Sequence, residues 1–286
     1  MRIATFLYQG GIHVGLVDAK AETVTPLALG AERAGRGALS LIESGDWSNV
    51  ARMPALRLAD VSLMAPIPRP RRNIFCVGRN YHAHAKELLS SVFKDNSKDV
   101  ASWPIVFNKV PECVVGPTAD VHLPVGISEQ IDYESELAVV IGVGGRNITR
   151  AEAMQHVFGY TIINDVTARD VQMRHQQWDL GKSFDTFCPM GPWIVTADEM
   201  DGNHTRVRGW VNQELRQDAR TEDFIFDIPT LIETCSRGIT LYPGDIIATG
   251  SPAGVGMGMN PPTYLKAGDV VRVEIDGIGV IENRFV

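Results

Sequence analysis

Residues 131–142 read IDYESELAVVIG, and the order of residue types in that stretch decides the fold of this chain. Its second half, LAVVIG, is a continuous, largely β-branched apolar run of strand length, the pattern of a strand covered on both faces. Its first half carries Glu134 and Glu136, two positions apart. Positions of equal parity share a face of a strand, so the spacing predicts two carboxylates projecting to one side. Asp165 follows in YTIINDVTARD (160–170). Carboxylates confined together at low dielectric repel unless a cation lies between them, so the trio reads as a metal site. All-oxygen donors select a hard ion, Mg2+ or Mn2+, over zinc or copper. A Glu-x-Glu pair standing alone would be read as a solvated strand edge, and its surroundings must decide.

Other strand-like runs lie on either side: NIFCVG (73–78), PIVFNK (104–109), GPWIVT (191–196), VRGWVN (207–212), DIIATG (245–250) and DVVRVEID (269–276). Helical signals are few. Thr149 with Glu152 forms a capping box that predicts a helix over RAEAMQHVFG, ending at Gly159. A second helix is predicted to start after Asp227, hold Pro229 in its first turn and stop near Gly238. Many strands without regular strand–helix alternation predict a mixed β structure with few helices (α+β), of sandwich or roll character. The Gly142-x-Gly144-Gly145 turn imitates a dinucleotide fingerprint, but Asn147 takes the third glycine position, so it is read as a turn. Near the N-terminus, Gly10-Gly11 separates two short apolar runs and predicts a hairpin. Three prolines and three arginines between residues 66 and 72 interrupt any helix or central strand. The predicted organisation is a small β-rich N-terminal domain over 1–68 and a catalytic domain over 69–286.

Composition restricts the function class. A chain of 286 residues, 44% apolar and 21% charged, can bury a large core. Its net charge of -7 includes no basic patch, which disfavours nucleic acid as partner. The longest near-apolar run, LAVVIGVGG, is too short to cross a bilayer, and MRIATFLYQGG lacks secretory-signal features, so a cytoplasmic protein with no membrane partner is expected. The four cysteines form no C-x-x-C pair and are expected as buried thiols.

Two further constellations carry chemistry. In GRNYHAHAKE (78–87), a helix starting after Asn80 would set His84 and Glu87 three residues apart on one face. The carboxylate would then orient the imidazole and raise its basicity, giving a water-activating dyad. After Asp165, Gln172 is expected on a helix and Lys182 in a following loop, where an amide and an ammonium suit oxyanion or enolate stabilisation.

Six motifs, GRNYHAHAKE, DYESELAVVIG, NDVTARDVQ, GKSFDTFCPMGP, YPGDIIATGSPAGVG and LKAGDVVRVEIDGIGVIENRF, occur in the order in which they stand in the fumarylacetoacetate hydrolase family, which the chain resembles over roughly residues 70–286. The resemblance implies a β-sandwich roll and Mg2+ or Mn2+ held by Glu134, Glu136 and Asp165. It implies a His84–Glu87 dyad, charge stabilisation by Gln172 and Lys182, substrate-carboxylate binding by Thr249, and a homodimer. Lys109 matches a family lysine, although the run here is FNKVP, with Val110 before the proline. Arg79, Tyr81, Arg174, Gln177, Trp178 and Phe184 are candidates for the distal end of the substrate, and the polar insert from Leu88 to Trp103 is a candidate lid. The leading expectation is hydrolysis of a carbon–carbon bond in a 2,4-dioxo acid of acylpyruvate or fumarylpyruvate type, releasing pyruvate. The alternatives on the same metal site are oxaloacetate decarboxylation and isomerisation of an unsaturated oxo acid. A non-catalytic small-molecule binding protein is the alternative of another class, while Ser251 in TGSPAG lacks the elbow of a serine hydrolase.

Overall fold

Ser135–Ile141 forms the expected strand, and all seven of its residues are buried. The structure, a computed structural model, describes all residues except 46, 48, 92–101 and 175, and gives no side-chain placement for 88–91. This strand pairs antiparallel with Val157–Asn164 on one side and with Ile246–Ala248 on the other. Complete burial of each large branched side chain here contributes about 1.5–3 kcal/mol, which is why this run anchors the sheet.

The large sheet continues outward in both directions. Beyond Val157–Asn164 lie Cys188–Thr196, Arg2–Tyr8, Gly11–Asp18 and Thr23–Pro26; beyond Ile246–Ala248 lie Ile74–Gly78 and Ile105–Lys109. A second sheet of four strands runs Glu214–Arg220, Arg206–Val211, Val270–Ile275, Gly279–Arg284. Its inward residues Val207, Val211, Val271, Val273 and Ile281 share one core with Leu137 and Val139 of the large sheet. The result is a sheet-dominated structure with few helices. The predicted hairpin is present: Tyr8 pairs with Gly11 across a turn in which Gln9 (φ 48°) and Gly10 (φ 78°) are both left-handed.

Residues 1–68 hold a small core of their own, Ala4, Phe6, Val17 and Val24, and also join the large sheet. Arg2 and Ile3 pair with Val195 and Ile194, and Ile3, Val14 and Leu27 enter the common core. No helix among the described residues is long and apolar enough to cross a membrane. All four cysteines are buried and free.

Two helix expectations met different outcomes. Ile228–Ser236 is helical, capped by Asp227, whose carboxylate accepts from the Thr230 amide at 3.0 Å. The helix predicted over 150–159 is reduced to a single 3-10 turn, Ala153–His156, because VFGYTIIN enters the central sheet from Val157 onward. Thr149 Oγ1 donates to Glu152 Oε2 instead of capping a backbone amide, so pairing in the sheet overrides the local capping signal. The candidate lid is described only in part, since residues 92–101 lie outside the described residues.

Strand direction places the chemistry. The start of Ser135–Ile141, the end of Val157–Asn164, and the ends of Ile246–Ala248 and Ile74–Gly78 all reach the same edge of the sheet. The segments that carry Glu134, Asp165, Arg79 to Glu87 and Thr249 to Gly254 leave or enter the sheet there.

Candidate active site

Glu136 belongs to the central strand, but Glu134 lies just before it, in the link from the short strand Ile131–Asp132. Equal parity on one strand is therefore not what aligns them. The link is fixed by Asn164, whose Oδ1 accepts from the Glu134 amide at 3.0 Å, and by the Asp165 amide, which donates to the Glu134 carbonyl at 2.9 Å. The outcome still matches the metal-site expectation. Glu134, Glu136 and Asp165 are all buried and offer carboxylate oxygens within 4.8 Å of one another.

Three buried cations surround them. Lys182, the last residue of the helical turn Asp179–Lys182, donates to Glu134 Oε2 at 2.6 Å and to Asp165 Oδ2 at 2.7 Å. Lys109 donates to Asp165 Oδ1 at 2.7 Å, to the Val166 carbonyl at 3.1 Å and to the Lys182 carbonyl. Arg169 donates to Glu134 Oε1 at 2.8 Å, to Asp132 Oδ2 at 2.9 Å and to Gln172 Oε1 at 3.2 Å. Gly181 allows this packing: a Cβ there would lie 2.5 Å from the Gln172 amide nitrogen and 2.8 Å from the Ala168 carbonyl.

The electrostatics divide the trio. Burial opposes ionisation of Glu134, but Lys182 and Arg169 overcome it and hold its carboxyl well below the usual range. Glu136 has no such partner: burial, then the charges of Asp165 and Glu134, push its carboxyl well up, and Lys182 and the Gly250 amide offset this only in part. Among Asp132, Glu134, Glu136 and Asp165, the direct ion pairs with Lys109, Lys182 and Arg169 engage every carboxylate but that of Glu136. Protonation of Glu136 or a divalent cation would relieve the repulsion at that carboxylate, and three convergent oxygen donors suit a hard cation. The residues fit a divalent metal.

The His84–Glu87 contact expected from the spacing is present. His84 and Glu87 lie on the helix His82–Ser91, with His84 Nδ1 3.0 Å from Glu87 Oε2. The Glu87 carboxylate also accepts from the Gly254 amide, at 3.1 Å and 3.3 Å. Gly250 (φ 101°) donates to Glu136 Oε2 at 3.0 Å, so one loop serves both the acidic trio and the dyad. Both glycines are required, because a Cβ on Gly250 would crowd Asn80, and one on Gly254 (φ 104°) would overlap the Arg216 carbonyl.

Glu134 and Glu136 of the trio and His84 of the dyad open onto one cavity, with Asp165 and Glu87 behind them. Its free space is about 20 Å3, and its lining includes His84, Glu134, Glu136, Gln172 and Lys182. Arg79, Phe107, Trp178, Ser251 and Met257 complete much of the wall. Arg79 is left-handed (φ 56°) between strand and helix and brings a further positive group to the cavity. Trp178 packs on Phe107 at 5.3 Å and lies so close to Gly78 that a Cβ there would be 2.6 Å from its ring.

Several expected substrate contacts are placed elsewhere. Lys109 lies behind Asp165 and does not line the cavity. Thr249 is fully buried and its hydroxyl donates to the Leu137 carbonyl at 2.8 Å. Tyr81 packs edge-on against Phe224 at 4.8 Å. Arg174 and Gln177 are exposed, and Phe184 stacks with Phe187. Conversely, sequence reasoning assigned no role to Arg169, Asp132, Gly250, Gly254 or Met257. The first two stand inside motifs quoted for other residues, and Asp132 binds amides more than 120 positions away.

Comparisons with known proteins agree with this geometry. The family model described as fumarylacetoacetate (FAA) hydrolase, C-terminal, matches residues 73–286. Oxaloacetate tautomerase YisK of Bacillus subtilis (strain 168) is 49% identical over 229 residues, covering 80% of this chain and 74% of that protein. Among solved structures, a fumarylacetoacetate hydrolase from the psychrophile Exiguobacterium antarcticum superposes with TM-score 0.83 at 40% identity, covering 100% of this chain and 99% of the other. The 5-carboxymethyl-2-hydroxymuconate delta-isomerase of Mycobacterium smegmatis superposes with TM-score 0.80 at 32% identity, covering 100% and 98%.

Proposed function

The chain belongs to the fumarylacetoacetate hydrolase family, and from that premise we propose that it is a Mg2+- or Mn2+-dependent enzyme that moves a proton on small 2-oxo acids, interconverting the enol and keto forms of an oxaloacetate-type substrate. The observation that carries this is the meeting, in one small cavity, of Glu134 and Glu136 of the acidic trio, the oriented His84 ring and the cationic Arg79. Arg79 gives a four-carbon diacid a counter-charge for a second carboxylate, and relatives such as the B. subtilis protein bear the name oxaloacetate tautomerase.

Glu134, Glu136 and Asp165 would hold the metal, which would supply charge neutralisation and polarisation of the oxo acid's carbonyl. The protein's own groups handle the proton. Glu87 holds the Nδ1 side of His84, leaving Nε2 to take the proton from C3. As the C3–H bond breaks, its electron pair enters the C2–C3 bond and the C2 oxygen gains negative charge. Lys182 uses two of its three N–H donors on carboxylates, so the third remains for that oxygen. Gln172 accepts from Arg169 through Oε1, which turns its amide N–H groups away from the arginine and toward the cavity. Return of the proton from His84 to the oxygen completes the enol.

A second reading is the hydrolytic one, favoured by the same His84–Glu87 pair acting on water. One experiment separates them. The decay of enol-oxaloacetate absorbance is followed with and without protein at fixed Mg2+ or Mn2+, beside a coupled assay for pyruvate from oxaloacetate and from acetylpyruvate. Faster enol decay without matching pyruvate supports proton transfer. Decay no faster than with metal alone refutes it, and pyruvate release from acetylpyruvate alone favours hydrolysis.

A further inference from the structure

A buried amide ties the cavity to the second sheet. Gln217 stands on Glu214–Arg220 and is fully enclosed. Its Oε1 accepts from the Ser135 amide, between Glu134 and Glu136, at 3.0 Å. Its Nε2 donates to the Pro252 carbonyl at 2.8 Å and to Ser251 Oγ at 2.6 Å. A backbone N–H can only donate and a backbone carbonyl can only accept, so the two main-chain partners leave one orientation for this amide. The third contact then has one sense as well: Ser251 Oγ accepts from Gln217. Gly209, opposite Gln217 in the neighbouring strand, makes the room, since a Cβ there would lie 2.3 Å from Ser135 Oγ and 3.1 Å from Gln217 Oε1.

That orientation decides where the Ser251 proton goes. Ser251 is buried and lines the cavity. Among the described residues, the acceptor for its hydroxyl is the adjacent Pro252 carbonyl, at 3.4 Å and already engaged by Gln217. A contact of that length is weak, so a cavity ligand with an anionic oxygen offers the proton a better partner.

We propose that Gln217 is a positioning residue for the substrate: by donating to Ser251 Oγ it turns the Ser251 proton into the cavity, where it hydrogen-bonds an anionic oxygen of the oxo acid. The inference rests on the oxo-acid reading of the cavity. It accounts for a neutral amide at this place. A side chain with acceptors alone would draw the Ser251 proton away from the cavity, and one with neither donor nor acceptor would leave the Ser135 amide and the Pro252 carbonyl without this partner.

Calorimetry with oxalate, a small planar dianion, on the Mn2+-loaded full chain tests this without turnover, and the KM for enol-oxaloacetate is measured beside it. Ser251→Ala should weaken oxalate binding and raise KM about 10–100-fold, with kcat little changed. Ser251→Thr, which keeps the hydroxyl, should restore most of the affinity. Gln217→Met, close in shape but without the amide, should give a similar loss alone and almost none on top of Ser251→Ala, because both remove one contact. Gln217→Asn, one methylene shorter, cannot reach Ser135 and Ser251 together and takes the place of the methionine variant if that one does not fold. Equal losses from the Gln217 variant in both backgrounds would mean a purely structural role and overturn the inference. Wild-type affinity in either the Gln217 variant or Ser251→Ala overturns it too, and the oxo-acid reading survives each of these results. If the wild-type protein neither binds oxalate nor accelerates enol decay, that reading falls and this inference with it.

Discussion

Replacing Asp132 by Asn tests whether the buried charges act as one unit. The carboxylate accepts four hydrogen bonds, from Arg169 Nε at 2.9 Å, Gly256 N at 2.7 Å, Met257 N at 2.9 Å and Tyr133 N at 2.9 Å. The asparagine keeps one acceptor oxygen, while its amide confronts the donors on the other side. At an effective dielectric near ~20, the attraction lost between unit charges about 4 Å apart is about 4 kcal/mol, offset in part because a neutral side chain is cheaper to bury. A net destabilisation of about 2–4 kcal/mol is expected from the urea midpoint at unchanged slope. The effect should reach the metal. Arg169 freed from Asp132 no longer holds Glu134 Oε1 at 2.8 Å in one orientation, and loss of such a supporting contact weakens metal binding about 10–100-fold. Calorimetric titration with Mn2+ reads that loss, and Arg169→Gln in a double-mutant cycle should show about 1–3 kcal/mol of coupling with Asp132→Asn. Unchanged Mn2+ affinity in a folded Asp132→Asn protein, or coupling near zero, would refute the reasoning.

Other perturbations separate the parts of the site. Glu134 and Glu136 have opposite pH signatures about their ordinary value of 4.5. Glu134, held low, contributes stability that is present above that value and is lost as pH falls toward its folded pKa; Glu136, held high, lowers stability increasingly as pH rises above it. In chelated protein, Glu136→Gln should therefore remove a decline in urea midpoint between mildly acidic and neutral pH, and an unaltered decline would count against the assignment. His84→Ala should slow enol decay by about 10²–10⁴-fold while calorimetry finds the Mn2+ affinity within experimental error of wild type. Asp227→Ala, which removes the cap of Ile228–Ser236, should cost about 1 kcal/mol of unfolding free energy, and a change under a tenth of that would mean the cap is redundant.

Much of this site was legible in the sequence because its chemistry is carried by short strings. The Glu134–Glu136 pair, Asp165 and the His84–Glu87 spacing are local patterns, and local patterns survive without coordinates. The central strand was equally plain, since an apolar run as long as LAVVIG has few other fates. What stayed hidden depends on pairings between distant residues. Nothing near Asp132 announces that its partners are Gly256 and Met257, and nothing near Lys109 shows that its ammonium faces Asp165 and the Lys182 carbonyl instead of open cavity. The failed helix at 150–159 has the converse cause: a valid local capping signal was outweighed by the demand of the sheet for VFGYTIIN.

The loop that carries Gly250 and Gly254 works as a caliper. One jaw is the amide on Glu136, the other the amide on Glu87, and the four-residue step between them sets the span from the acidic trio to the proton-handling ring. Lengthening or shortening this loop by a single residue would leave every reactive side chain in the protein yet change which substrate carbon the imidazole can address. On the proposed oxo-acid chemistry, the choice between moving a proton and breaking a carbon–carbon bond would then depend in part on backbone length, in a segment that supplies Glu136 and Glu87 with amide donors and no acid or base.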